Sequence, residues 1–173
     1  MLITLSGLPG SGTSTVARTV AARLGLDHVD GGTVFRTMAS EHGSTLAEFA
    51  RVAEADESID RALDDRLLAR AHEGEVVLES RLAGWLVTRG SVPALRVWIS
   101  CDERERAARV GGRDGHDVDA ALVANREREA SERHRYLAYY GIDLTDLSIY
   151  DLVIDSTTTG PDAIVAQIVA TVA

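Results

Sequence analysis

The opening fifteen residues restrict this chain more than any other stretch. Leu2-Ile3-Thr4-Leu5 is a short apolar run suited to a buried strand, and Gly7, Gly10 and Gly12 follow it in a tight turn. Val16, Ala17, Val20, Ala21 and Leu24 then recur at helical spacing until Gly25 stops the helix. Strand, glycine turn and helix together form the setting of a phosphate-binding loop. The turn lets backbone N–H groups converge, and the helix start adds partial positive charge, so part of an anion's stabilisation there needs no side chain. The expected phosphate cradle is Gly7, Leu8, Pro9, Gly10, Ser11, Gly12, Thr13, Ser14 and Thr15.

The pattern G-x-x-x-x-G-K-[ST] is met at Gly7, Gly12 and Ser14, but Thr13 stands where the lysine belongs. A hydroxyl cannot supply that charge. All 18 basic residues are arginine, so no lysine elsewhere in the chain can take its place. The phosphate charge must be met by arginine, metal or backbone. Losing one charge-assisted hydrogen bond costs a few kcal/mol, roughly a hundredfold in rate, unless an arginine offsets it.

At 173 residues one domain is expected, 1–173, with a sizeable core. A net charge of −9 argues against nucleic acid held by a general electrostatic field. No apolar run approaches membrane-span length, and no charged leader precedes the first strand. Cys101, the single cysteine, excludes an internal disulfide and fits a reducing cytoplasm. His28, His42, His72, His116 and His134 show no triad or metal-ligand spacing and receive no catalytic role. The expected partners are small molecules, with neither nucleic acid nor membrane, acting on a monomer or weak homodimer.

Further strands are expected near 26–29, 75–79, 95–99 and 151–155, alternating with helices. Thr45-Leu-Ala-Glu48 reads as a capping box, and Ile59, Leu63 and Leu67 mark a helix after Asp56. Two charged helices, roughly 102–112 and 117–138, are expected to be separated at Gly111-Gly112-Arg113-Asp114-Gly115. The alternation predicts an α/β fold: a five-stranded parallel sheet with helices on both faces and ligands at the C-terminal strand ends.

Candidate chemistry collects at those ends. Asp30 and Arg36 flank a helix start beside the glycine loop, where an arginine can grip a second phosphate bidentately. Glu79 can hold a metal-bound water or a substrate hydroxyl, and Arg81 can pair with an acceptor phosphate. Arg106, Arg109 and Arg113 share a helix face, and Arg126–Arg135 is a dense charge run with i,i+4 pairs such as Arg128–Glu132. Such a run is either a solvated face or a flap that closes guanidinium groups over a transferring phosphoryl group, with the nearby glycines as hinges.

Gly7–Thr15, Gly31–Arg36, Val76–Trp85, Arg126–Tyr136 and Tyr140–Asp155 resemble the archaeal-type cytidylate kinases, part of the P-loop nucleoside monophosphate kinase group. The resemblance runs nearly end to end. It implies a nucleoside-monophosphate-kinase-like fold with an acceptor-binding helical insert at about 31–73 and a mobile lid at about 109–136. It implies γ-phosphoryl transfer from ATP to CMP or dCMP with Mg²⁺. Arg36 and Arg81 would hold the acceptor phosphate, and Arg128 and Glu132 would meet the acceptor nucleotide. Arg109, Arg113, Arg133 and Arg135 would belong to the lid. Ser14 or Thr15 would reach Mg²⁺, and the loop from Ser156 to Thr158 would border the adenine. A P-loop kinase of another small acceptor, and a nucleotide-binding module with little catalysis because of Thr13, stand beside this reading.

Overall fold

The computed structural model describes residues 1–172, with the backbone alone for 46 and 47. Five strands form one sheet: β1 (Leu2–Gly7), β2 (Asp27–Asp30), β3 (Val76–Glu79), β4 (Leu95–Ser100) and β5 (Leu152–Asp155). Their order is β2-β3-β1-β4-β5 and every pairing is parallel. Parallel neighbours need crossovers, and the intervening helices supply them on both faces.

Alternation along β1 divides the core. Ile3 and Leu5 face α1 (Thr13–Leu24) and α8 (Pro161–Val172), packing with Val16, Val20, Ile164 and Ile168. Leu2, Val76 and Leu78 face the opposite side, against Leu67 of α4 (Glu57–Glu73) and Val87 of α5 (Ala83–Arg89). The central strands are apolar on both faces because both are covered.

Between β2 and β3 stand α2 (Gly31–Glu41), α3 (Leu46–Ala55) and α4, a helical insert between neighbouring strands. The Thr45–Glu48 capping box forms at the start of α3. Beyond β4, α6 (Glu103–Asp114) and α7 (Val118–Tyr140) make a helical hairpin. Here one expectation is corrected. Gly111 and Gly112 lie inside α6, which ends only at Gly115. Gly111 is where the hairpin closes tightly: a Cβ there would stand 2.7 Å from the His116 carbonyl oxygen. Close packing, rather than hinge freedom, accounts for that glycine. Among the described residues, no helix is long and apolar enough to cross a membrane.

The second half of α7 is fastened to the insert. Ser131 Oγ donates to Glu54 Oε1 at 2.8 Å, Arg61 donates to the Tyr139 carbonyl at 3.1 Å, and Arg135 pairs with Asp60 at 3.3 Å. The spacing of Ile59, Leu63 and Leu67 misses an important feature of α4: Asp60 and Asp64 are buried one turn apart against α7. Burial pushes the Asp64 carboxyl from 3.8 up to about 7; the Tyr140 hydroxyl opposes the rise, and Asp60 and Asp65 add to it. A carboxyl raised on folding favours the folded state while it stays protonated. That contribution is complete below the ordinary value of 3.8 and is lost as pH rises through about 7. Asp64→Asn is therefore expected to flatten the fall in stability between about pH 4 and 7. It should also raise stability at pH 8 by ~3 kcal/mol. Denaturant melts of both proteins across that range would show it, and parallel pH curves would contradict it.

Candidate active site

The glycine loop joins β1 to α1. Gly10 has φ +84°, and a Cβ there would come within 2.5 Å of the Arg106 carbonyl oxygen, so only glycine fits. Thr13 is buried, whereas Thr15 is exposed on the first turn. The helix starts differ in an informative way. Asp30, Thr45, Asp56, Asp102 and Asp117 cap α2, α3, α4, α6 and α7 through their side chains. Gly12 opens α1 with no side-chain cap and no acidic residue in the first turn. The N–H groups and positive end of α1 thus face the sheet's C-terminal edge, as an anion site requires.

Beside the loop, Ser14 Oγ donates to Glu79 Oε1 at 2.6 Å, and Glu79 Oε2 lies 3.1 Å from His28 Nε2. Glu79 is buried at the end of β3, next to Asp30 of β2 in the sheet register. Mg²⁺ takes few protein ligands and relies on water and substrate phosphate for the rest, so one hydroxyl and one carboxylate suit it. Among the described residues no cluster of three or more His, Cys, Asp or Glu could form an all-protein cage.

Arg81 links the two halves of the site. Its Nη1 donates to the Gly7 carbonyl at 2.8 Å and its Nε to Glu132 Oε2 at 3.0 Å. Glu132 also accepts from Arg128 Nε at 2.8 Å. Burial pushes the Glu132 carboxyl up, but Arg81 and Arg128 outweigh it and hold the group below the usual range. The arginine–glutamate run is therefore not wholly a solvated face, because Glu132 is buried.

Asp30 is occupied as a helix cap. It accepts from the N–H groups of Gly32 and Thr33 at 2.9 and 3.1 Å and from the Thr33 hydroxyl at 2.7 Å. Arg36, exposed, bonds the Thr33 hydroxyl at 2.6 Å and pairs with Asp30 at 3.4 Å. Asp30 thus sets the start of α2 and the resting position of Arg36.

A cleft of about 400 Å³ opens on the other side of the glycine loop, lined by Gly12, Thr15, Arg109, Thr157 and Pro161 among others. Arg109 is held there by Glu105 at 2.9 Å and by the Ser156 carbonyl at 2.7 Å. The other expected lid arginines diverge. Arg113 pairs with adjacent Asp114 in solvent, and Arg133 is exposed. Arg135 is largely buried against Asp60, so its guanidinium belongs to the α4–α7 contact.

Two residues given no site role from the sequence now matter. Arg106 is buried at 4% exposure and donates to the Pro9 carbonyl at 3.2 Å and the Cys101 carbonyl at 3.3 Å. It also pairs with Glu129 of α7, fastening the glycine loop to the hairpin. His28 reaches Glu79 across the sheet. Helical spacing grouped Arg106 with Arg109 and Arg113, but no pattern could tell which of the three turns inward. No spacing tied His28 to a residue 51 positions away.

The model of the cytidylate kinase-like family matches residues 2–158. A cytidylate kinase of Pyrococcus horikoshii is 45% identical over 172 residues, 99% of this chain and 88% of that one. One from Methanocaldococcus jannaschii is 47% identical over 158 residues, 91% and 89% of the two chains. Among solved structures, a shikimate kinase from Bacteroides thetaiotaomicron superposes with a TM-score of 0.67 at 13% identity. It covers 99% of this chain and 98% of its own, a likeness of fold alone.

Proposed function

Because the chain belongs to the cytidylate kinase-like family, a family of nucleoside monophosphate kinases, we propose that it transfers the γ-phosphoryl group of ATP to CMP or dCMP. The products are ADP and CDP or dCDP. The observation that carries this reading is Arg81, which bridges the Gly7 carbonyl and buried Glu132 and so stands between donor loop and acceptor arm.

The residues divide the work as follows. The backbone N–H groups between Gly7 and Thr15, Pro9 excepted, cradle the ATP phosphates, and the cleft beside Arg109 and Thr157 takes the nucleoside. Arg36 and Arg81 hold the acceptor phosphate. Arg128, Arg113 and Arg133 supply positive charge from the rim. Arg135 positions α7 through Asp60. Ser14 and Glu79 fit Mg²⁺, which when bound neutralises charge on the β- and γ-phosphates. In the transfer an acceptor phosphate oxygen bonds to the γ-phosphorus as the bond to the β–γ bridging oxygen breaks, and ADP leaves with that oxygen. A phosphate monoester is already largely ionised near neutral pH, so the attack needs no general base. Glu132, held ionised between two arginines, then orients guanidinium groups rather than removing a proton. The moving part of the lid lies before Glu129, since later turns of α7 are fastened to the loop and the insert. The single free thiol of Cys101 fits work in a reducing cytoplasm.

A coupled ADP-release assay over nucleoside monophosphates and sugars, with and without Mg²⁺, tests the reading. Magnesium-dependent turnover greatest with CMP or dCMP is expected. Clear activity on another acceptor with none on CMP would replace the acceptor. Tight ATP binding without product would favour the binding-module reading that Thr13 raises. Thr13→Lys is expected to change kcat by less than about tenfold, because Arg81 already brings a cation to the loop. A hundredfold gain would show that the native loop carries an uncompensated charge deficit.

A further inference from the structure

We propose that His28 is a positioning residue for phosphoryl transfer: it fixes the rotamer of Glu79, so that one carboxylate oxygen stays directed at the Ser14 hydroxyl. The proposal rests on the kinase reading above.

His28 lies on β2 opposite Val77, two positions before the Asp30–Glu79 pair in the register. Its imidazole is partly buried and its Nε2 lies 3.1 Å from Glu79 Oε2. The other oxygen, Oε1, accepts from Ser14 Oγ at 2.6 Å. Glu79 itself is only 6% exposed, so water cannot readily replace a lost partner. A carboxylate only accepts hydrogen bonds, so the contact requires the proton on Nε2. Each Glu79 oxygen therefore has its own donor, one from β2 and one from the start of α1. Were His28 apolar, Oε2 would be left without this donor. The carboxylate would then be free to turn, and its two oxygens would compete for the single Ser14 hydroxyl. The residues that fit Mg²⁺ would lose their fixed geometry, while Arg36 and Arg81, proposed for the acceptor phosphate, bond Thr33, Gly7 and Glu132 rather than His28. Partners that orient a metal-binding side chain typically contribute about 10- to 100-fold in affinity or activity.

Two variants and one spectroscopic measurement test this. His28→Leu should lower kcat about 10- to 100-fold and raise the Mg²⁺ needed for half-maximal rate severalfold. The KM for CMP should stay within about twofold. His28→Gln keeps a side-chain N–H donor and should recover most of the kcat. In metal-free, nucleotide-free protein, ¹⁵N-detected imidazole spectra should show His28 as the Nε2–H tautomer, and Glu79→Gln should remove that preference. Unchanged kcat and Mg²⁺ dependence in His28→Leu, or an Nδ1–H tautomer in the wild type, would overturn the proposal. If His28→Leu does not fold, His28→Gln and the tautomer decide. A wild type inactive on every nucleoside monophosphate would overturn the kinase reading. The metal-free spectra would still judge whether His28 holds Glu79.

Discussion

Arg81→Ala is expected to lower kcat/KM for CMP about a thousandfold or more, near 4 kcal/mol of transition-state stabilisation. Two effects combine. The variant loses the guanidinium that spans the Gly7 carbonyl and Glu132. It also leaves Glu132 buried with only Arg128 beside it, and Arg128 is itself exposed along most of its side chain. Removing one partner of a buried pair typically costs about 3–5 kcal/mol, so a lower melting temperature should accompany the loss. Arg81→Lys keeps the charge but lacks a planar fork to reach two acceptors at once, and should recover little of the activity. Calorimetry separates the effects, because ATP should still bind to Arg81→Ala through the loop amides. Turnover within about tenfold of wild type would remove Arg81 from the site.

The second large effect is expected at Arg106, a residue that touches no substrate in this reading. Its guanidinium bonds the Pro9 and Cys101 carbonyls and pairs with Glu129, all in a nearly closed pocket. Arg106→Met should destabilise the protein by ~3–5 kcal/mol, because Glu129 and two carbonyl groups lose their donor together. For a chain of this length that corresponds to a drop in melting temperature of about 10 °C. ATP affinity should fall as well, since Pro9 lies within the glycine turn proposed to hold the ATP phosphates. The companion variant Arg106→Met/Glu129→Met removes the stranded carboxylate and should recover at least part of the lost stability. If it melts no higher than the single variant, the buried pair is not the source of the effect. Recovery of stability without recovery of ATP affinity would assign Arg106 specifically to the geometry of the loop.

Both residues sit where sequence periodicity gives little guidance. Arg106, Arg109 and Arg113 fall on one helical face by spacing. In the fold the first is buried against the loop, the second lines the cleft beside the glycine loop, and the third pairs with its neighbour in solvent. Asp60 and Asp64 mark the same limit from the other side. Acidic residues on a helix normally predict a wet face, yet these are buried because α7 packs across them.

The chain alone determined what depends on near neighbours. Strand, glycine turn and helix follow each other within 25 residues, and a continuous apolar run followed by a 3.6-residue period identifies the buried strand and the helix after it. The Thr45–Glu48 cap is likewise local, as its partners are three residues apart. The tertiary structure decided everything that depends on which distant groups share a buried space. It set Arg81 against Glu132, Arg106 against Glu129 and His28 against Glu79. A buried charge takes as its partner whatever the packing of other elements brings within reach. That proximity is a property of the folded chain as a whole, and no spacing along the sequence encodes it.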